Sequence, residues 1–176
     1  MIFKKTQLPD VFEIDLKIVS DERGYFARIF SDTELKAQGI DFSIVQANRS
    51  FNEKKGTVRG MHFQREPHWE DKIMTCISGS FHVIVVDLRK DSPTHKAWLS
   101  FELSAENKKM LRIPKGCANG FQALANHSEM IYFMSEAYAP ESASGINYQD
   151  PQFNFNWPLE ATVISERDRA LPFYES

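Results

Sequence analysis

The chain has 176 residues, 42% hydrophobic and 26% charged, with a formal net charge of −3. A chain this long folds as one domain, residues 1–176, and removes roughly 70% of its unfolded surface from water. The slightly acidic balance gives no basic field for nucleic acid. Charges at Lys4, Lys5, Asp10, Glu13, Asp15 and Lys17 interrupt any apolar leader, and no run approaches the ~20 apolar residues of a membrane span. The expectation is a cytoplasmic protein without nucleic-acid or membrane partners.

Taken in chain order, Phe12 to Val19 alternates apolar and polar residues, Ser20 to Gly24 reads as a turn, and Tyr25 to Phe30 resumes the apolar pattern, which predicts a hairpin. A helix follows, with Ser31 as its N-cap, Glu34 three residues on and Gly39 as a left-handed exit. From Ile44 the signals are strands: 44–51, 58–64, 72–78, 81–88, 96–103, 109–113, 120–124 and 130–137. Turn chemistry such as Ser78-Gly79, Asp91-Ser92-Pro93 and Pro114-Lys115-Gly116 separates them. Val83 to Val86 is apolar on both alternating faces, which fits a strand enclosed between two sheets. Many short strands at regular spacing predict a mainly β jelly-roll barrel with few helices. Phe153, Phe155, Trp157 and Pro158 are expected to anchor a tail whose polar turn, Ser165 to Asp168, can reach the barrel's mouth. The two cysteines, Cys76 and Cys117, make no disulfide framework or CxxC site and read as buried thiols.

The chemistry-bearing stretch is Gly56 to Gln64, Gly-Thr-Val-Arg-Gly-Met-His-Phe-Gln, with Lys72 eight residues beyond. In an extended strand His62 and Gln64 share a face, and Arg59 joins them only if a bulge intervenes, which the glycines at 56 and 60 permit. A strand histidine is more often a satisfied structural residue than a catalyst. Lys72, Arg23 and Asp168 each read equally as surface or turn residues, and Tyr132 as a core aromatic. His62, Glu66, His68 and Glu70 also lie close enough in sequence to suggest a metal site, but the segment where a distant ligand would be sought, residues 114–120, carries Asn119, a poor ligand for zinc or iron.

These segments together resemble the dTDP-4-dehydrorhamnose 3,5-epimerase family of sugar-nucleotide epimerases. The resemblance is carried by Asp21 to Phe26, Gln46-Ala47-Asn48, Gly56 to Gln64, Lys72, Val86 to Arg89 with Ser92-Pro93-Thr94, Ile113 to Gly116, Asp150-Pro151, Trp157-Pro158 and Ser165 to Asp168. It implies a cupin-type jelly roll that works without a metal or other cofactor. It makes His62 the general base, Asp168 its carboxylate partner, Tyr132 the general acid and Lys72 the group facing the sugar's C4 oxygen. It further makes Arg23, Gln46, Asn48, Arg59 and Arg167 substrate or nucleotide contacts and Tyr138 an aromatic that stacks on the base. It makes Arg28 a further substrate contact, at a position where members differ, some having glutamate, and where recognition of base or ribose can differ with it. Asn119 stands where relatives commonly have histidine; its amide can donate to the C4 oxygen but cannot carry a proton. The implied ligand is a nucleotide-linked 4-keto-6-deoxy sugar, with dTDP or CDP as the nucleotide. The implied assembly is a homodimer with exchanged N-terminal strands.

The chemistry matches these roles. A 4-keto group acidifies the hydrogens on C3 and C5, so inversion at either needs a base, a stabiliser for the enolate oxygen and a proton donor on the opposite face. Arginines supply bidentate pyrophosphate contacts. Two other readings stay open on the sequence: a noncatalytic sugar-nucleotide-binding cupin, and a metal-dependent cupin isomerase or oxygenase.

Overall fold

The computed structural model describes residues 1–175; Ser176, the last residue of the expected domain span, lies outside it. Alternating apolar residues build thirteen strands: β1 (Ile2–Lys5), β2 (Phe12–Asp15), β3 (Ile18–Asp21), β4 (Gly24–Ala27), β5 (Gln46–Asn52), β6 (Val58–Gln64), β7 (Lys72–Ser78), β8 (Ser80–Asp87), β9 (Trp98–Ser104), β10 (Lys109–Ile113), β11 (Cys117–Ala123), β12 (Ser128–Met134) and β13 (Ala143–Gly145). Two short helices, α1 (Asp32–Lys36) and α2 (Glu166–Arg169), complete the chain. One sheet runs β1-β2-β10-β7-β12-β5, a second runs β13-β6-β11-β8-β9, and β3 pairs only with β4. The two larger sheets face each other as a jelly-roll barrel of the cupin type.

Three apolar clusters hold these layers. Met74, Val83, Val85, Leu103, Leu111, Phe121 and Met130 meet between the sheets. Phe12, Ile14, Ile73 and Met110 pack with Leu35, Ile40 and Phe42 of the helical segment. Met61, Ile84, Val86 and Ala118 are covered by Ile146, Phe153 and Phe155. Each fully buried side chain of this size is worth about 1.5–3 kcal/mol.

β8 therefore is buried on both faces, but for a reason other than the expected one. Val83 and Val85 face the opposite sheet, whereas Ile84 and Val86 are covered by the aromatic tail. Trp98 fixes that tail by donating its indole N–H to the Phe153 carbonyl at 3.0 Å.

The single strand expected over 12–19 is split. Phe12–Asp15 joins the large sheet by pairing with β1 and β10, and the chain breaks at Leu16 and Lys17 before the hairpin of β3 and β4 begins. Pairing partners, not local alternation, decide which half goes where. β1 and β13 are too short to announce themselves by periodicity. The helix cap is as expected: Ser31 Oγ accepts from the Glu34 amide at 3.3 Å, and Gly39 has φ +73°. Ser165 to Asp168 is not merely a turn but the N-cap and first turn of α2.

Cys76 and Cys117 are free and buried. Burial pushes their thiols up to about 11 and about 12, which keeps both protonated and unreactive.

Candidate active site

The barrel interior changes character along its length. On β7, Lys72, Met74 and Cys76 point inward; on β12, Met130, Tyr132 and Met134 do so. Met74, Cys76 and Met130 fill one end, whereas Met134 reaches the other. The polar members line a cavity of about 340 Å³ at the other, together with Gln46, Asn48, His62, Gln64, Glu70, Tyr138 and Arg167. This volume suits one small ring.

β6 reaches the cavity through a bulge. His62 pairs with Asn119 and Arg59 with Phe121, so β6 spends one more residue than β11 over the same step. Gly60, at φ +106°, absorbs it; a Cβ there would lie 2.7 Å from the Asn119 carbonyl oxygen. The bulge turns Arg59 to the same side as His62. Arg59 then donates to Asn52 Oδ1 at 2.9 Å and to the Phe51 carbonyl at 3.2 Å.

His62 Nε2 lies 2.8 Å from Asp168 Oδ1. The second oxygen of Asp168 accepts the Gly60 amide at 3.0 Å, and the Asp168 amide donates to Ser165 Oγ at 3.1 Å. Burial pushes the Asp168 carboxyl up, but the hydrogen bond and charge of His62, the Gly60 amide and the Ser165 hydroxyl together hold it below its usual value. It therefore stays ionised behind the imidazole at neutral pH. The parallel bridge between Thr57 and Val163 delivers this tail to the barrel.

From the opposite sheet come Lys72 and Tyr132. Lys72 Nζ donates to Asn119 Oδ1 at 3.1 Å and pairs with Glu70 Oε1 at 2.7 Å, with the two side chains 10% and 6% exposed. Burial, reinforced by the charge of Glu70 and opposed by that of Arg59, raises the Tyr132 phenol above its ordinary value. It keeps its proton at neutral pH.

The other expected site residues fall in three places. Gln46, Asn48, Tyr138 and Arg167 line the cavity with His62, Lys72 and Tyr132; Gln46 accepts the Tyr138 amide, and Arg167 donates to the Tyr138 hydroxyl at 3.3 Å. Asn119 stands behind Lys72 and contributes to the site by holding it. Arg23 and Arg28 are elsewhere in this chain: Arg23 pairs with Asp21 on the β3–β4 hairpin, and Arg28 with Glu34.

Gln64 and Glu70 also line the cavity, and the sequence gives neither a part in catalysis or substrate binding. Gln64 fastens the rim, donating to the His68 and Ala137 carbonyls and accepting the Ala139 amide at 2.7 Å. Glu70, which the sequence offers only as a metal ligand, stands two residues before Lys72, the spacing that puts both side chains on the inward side. His68, from the same suspected metal cluster, pairs with Glu136 and Glu141 instead of His62. Among the described residues no three His, Cys, Asp or Glu side chains converge as a metal-binding group.

The jelly-roll barrel thus gathers a carboxylate-backed histidine, a phenol and a lysine at one cavity, groups able to exchange protons with a bound ligand. The model of the dTDP-4-dehydrorhamnose 3,5-epimerase family matches residues 5–176. The dTDP-4-dehydrorhamnose 3,5-epimerase of Shigella flexneri is 38% identical over 165 residues, covering 93% of this chain and 91% of that protein. The Bacillus anthracis enzyme, solved with TDP and pyrophosphate, superposes with a TM-score of 0.96 at 35% identity, covering 98% and 99% of the two chains. The Legionella pneumophila enzyme, solved with dTDP-4-keto-L-rhamnose, has a TM-score of 0.92 at 36% identity, covering 98% and 92%. This chain belongs to the dTDP-4-dehydrorhamnose 3,5-epimerase family. It is an isomerase, an epimerase of sugar nucleotides.

Proposed function

We propose that this epimerase inverts C3, C5 or both of a nucleotide-linked 4-keto-6-deoxyhexose, through an enolate and without a cofactor. The observation that carries the reading is His62 of one sheet, backed by Asp168 of α2, sharing a cavity with Lys72 and Tyr132 of the other sheet. His62 takes the proton from the carbon beside the ketone, and the bond's electron pair moves into an enolate whose charge rests on the C4 oxygen. Lys72 donates to that oxygen. Tyr132 then returns a proton to the opposite face of the carbon, and its phenolate and the imidazolium re-equilibrate with solvent. Asp168 holds the imidazole's orientation and offsets the charge it acquires. A positioned base contributes roughly 10²–10⁴ in rate and one oxyanion donor roughly 10²–10³.

Binding is assigned to the mouth and the arginines. Tyr138 is exposed beside Arg167 and suits a base stacked on its face. Gln46, Asn48, Arg59 and Arg167 are the candidate contacts to sugar and diphosphate, with dTDP or CDP as the nucleotide. Asn119 acts on the C4 oxygen through Lys72.

The assembly in this reading is a homodimer with exchanged N-terminal strands. The β3–β4 hairpin supports it: Val19, Tyr25 and Phe26 are 66%, 59% and 70% exposed, apolar surface that a second copy would cover. Arg23 and Arg28 would then serve the partner's site. The cytoplasm is the proposed compartment, in keeping with two free thiols. No helix among the described residues is long and apolar enough to cross a membrane.

The test is NMR of dTDP- and CDP-linked 4-keto-6-deoxy sugars with the protein in deuterated water. Deuterium is expected at C3, C5 or both, with inverted product; absence of exchange across the panel refutes the reading.

A further inference from the structure

Glu70 holds an oxygen that no group among the described residues satisfies. Its Oε1 pairs with Lys72, while Oε2 is screened from solvent and has no hydrogen-bond partner. A buried acceptor left without a donor costs about 1–3 kcal/mol, and more when it is charged. Such a group in a native site calls for a specific explanation.

The neighbouring side-chain amides do not supply the missing donor. Gln46 Nε2 donates to Asn48 Oδ1, Asn48 Nδ2 to the Met134 sulfur, and Gln64 Nε2 to two carbonyls. Glu70 nevertheless lines the cavity. The terminal torsion of glutamate is broad, so a modest rotation turns the spare acceptor capacity toward the cavity while Lys72 keeps its bond.

The position of the carboxylate narrows the donor. If Lys72 holds the ketone oxygen, the Glu70 carboxylate lies beside that oxygen, because Nζ and Oε1 are only 2.7 Å apart. Neighbouring oxygens on a pyranose ring are spaced about as Nζ and Oε1 are. Of the two carbons next to C4 in a 4-keto-6-deoxyhexose, C5 carries the ring oxygen and a methyl group, and only C3 carries a hydroxyl.

We infer that Glu70 is a specificity-determining residue whose spare carboxylate oxygen accepts a hydrogen bond from the C3 hydroxyl of the bound sugar. The inference rests on the keto-sugar reading of the cavity. A site built to hydrogen-bond a hydroxyl rejects the analogue that lacks it, because the buried acceptor is then left unpaired.

The test measures binding with chemistry switched off, in the His62→Ala protein. Its ligands are dTDP, dTDP-4-keto-6-deoxyglucose and the 3-deoxy counterpart of that sugar nucleotide, titrated calorimetrically. The 3-hydroxyl sugar is expected to bind at least tenfold tighter than the 3-deoxy one. Adding Glu70→Leu is expected to abolish that preference while leaving the affinity for dTDP unchanged. Glu70→Gln, which keeps the shape, covers the case in which the leucine variant does not fold, and is expected to cut the preference about threefold or more. A preference undiminished in either folded variant, or equal weakening of all three ligands, overturns the assignment of Glu70 alone. A His62→Ala protein that binds neither sugar nucleotide better than dTDP overturns the keto-sugar reading, and the inference with it.

Discussion

Asp168 gives one oxygen to the His62 imidazole at 2.8 Å and the other to the Gly60 amide at 3.0 Å, so a single carboxylate fixes both the histidine and the bulge that aims it. Replacement with asparagine keeps the size but offers only one acceptor atom and no charge. Asp168→Asn is expected to lower solvent exchange at the sugar carbon about 10²- to 10⁴-fold with a small change in KM. Deuterium incorporation and initial-rate kinetics check it; an unchanged exchange rate removes Asp168 from the machinery.

Tyr132 and His62 come from different sheets, so their tasks are separable. In Tyr132→Phe, His62 still removes and returns the proton on its own face. Deuterium uptake at the carbon is expected to persist, while inverted product falls by about 10²-fold or more. Loss of both in parallel would mean that Tyr132 acts in the first proton transfer.

Lys72 is paired with Glu70 in the barrel and, in the proposed mechanism, also donates to the C4 oxygen. Lys72→Met strands the Glu70 carboxylate in the barrel without its counter-charge, which for a buried pair costs roughly 3–5 kcal/mol. The denaturation midpoint is expected to drop accordingly, and the double variant with Glu70→Leu to recover most of it. Exchange should stay at least about 10²-fold below the parent in both, since neither has a donor for the C4 oxygen. Equal stability of the single and double variants would show that the pair is not coupled.

Asp87 predicts an acid limb. Burial pushes its carboxyl up, but Arg89, Ser92 and Thr94 outweigh this and hold it at about 2, against an ordinary value of 3.8. The native state thus binds this proton less readily than the unfolded chain. The stabilisation, roughly 2 kcal/mol, is fully present above the unfolded value and is lost as pH falls through the folded one. Asp87→Asn is expected to be less stable than the parent at pH 7, with the gap closing between about pH 4 and pH 2. Urea titrations across that range measure it; a constant gap would assign the loss to packing instead of charge.

Much of this was legible in the residues, and the exceptions share a cause. β6, β7 and β10 were bounded correctly because turns or glycines flank them and each has one wet or polar end. The 12–19 segment failed because alternation continues through Leu16 and Lys17 while the pairing partner does not. β8 was read as buried on both faces, yet its cover is the tail, and hydrophobicity cannot say what will lie on it. In the site, His62 and its bulge were visible from glycine placement. The pairing of Glu70 with Lys72, and the position of Asn119 behind that lysine, needed the third dimension: a spacing of two shows that side chains share a face, not that one neutralises the other.

The carboxylate that serves His62 lies 106 residues further along the chain, on a segment pinned by the Thr57–Val163 bridge and the aromatic tail. The barrel strands precede that segment in the order of synthesis. A nascent chain halted before residue 165 is thus expected to hold the cavity, the lysine and the phenol, but a histidine with no escort. Under the epimerase proposal, proton abstraction by His62 depends on that segment, so turnover reports that residues 165–168 have docked on the barrel.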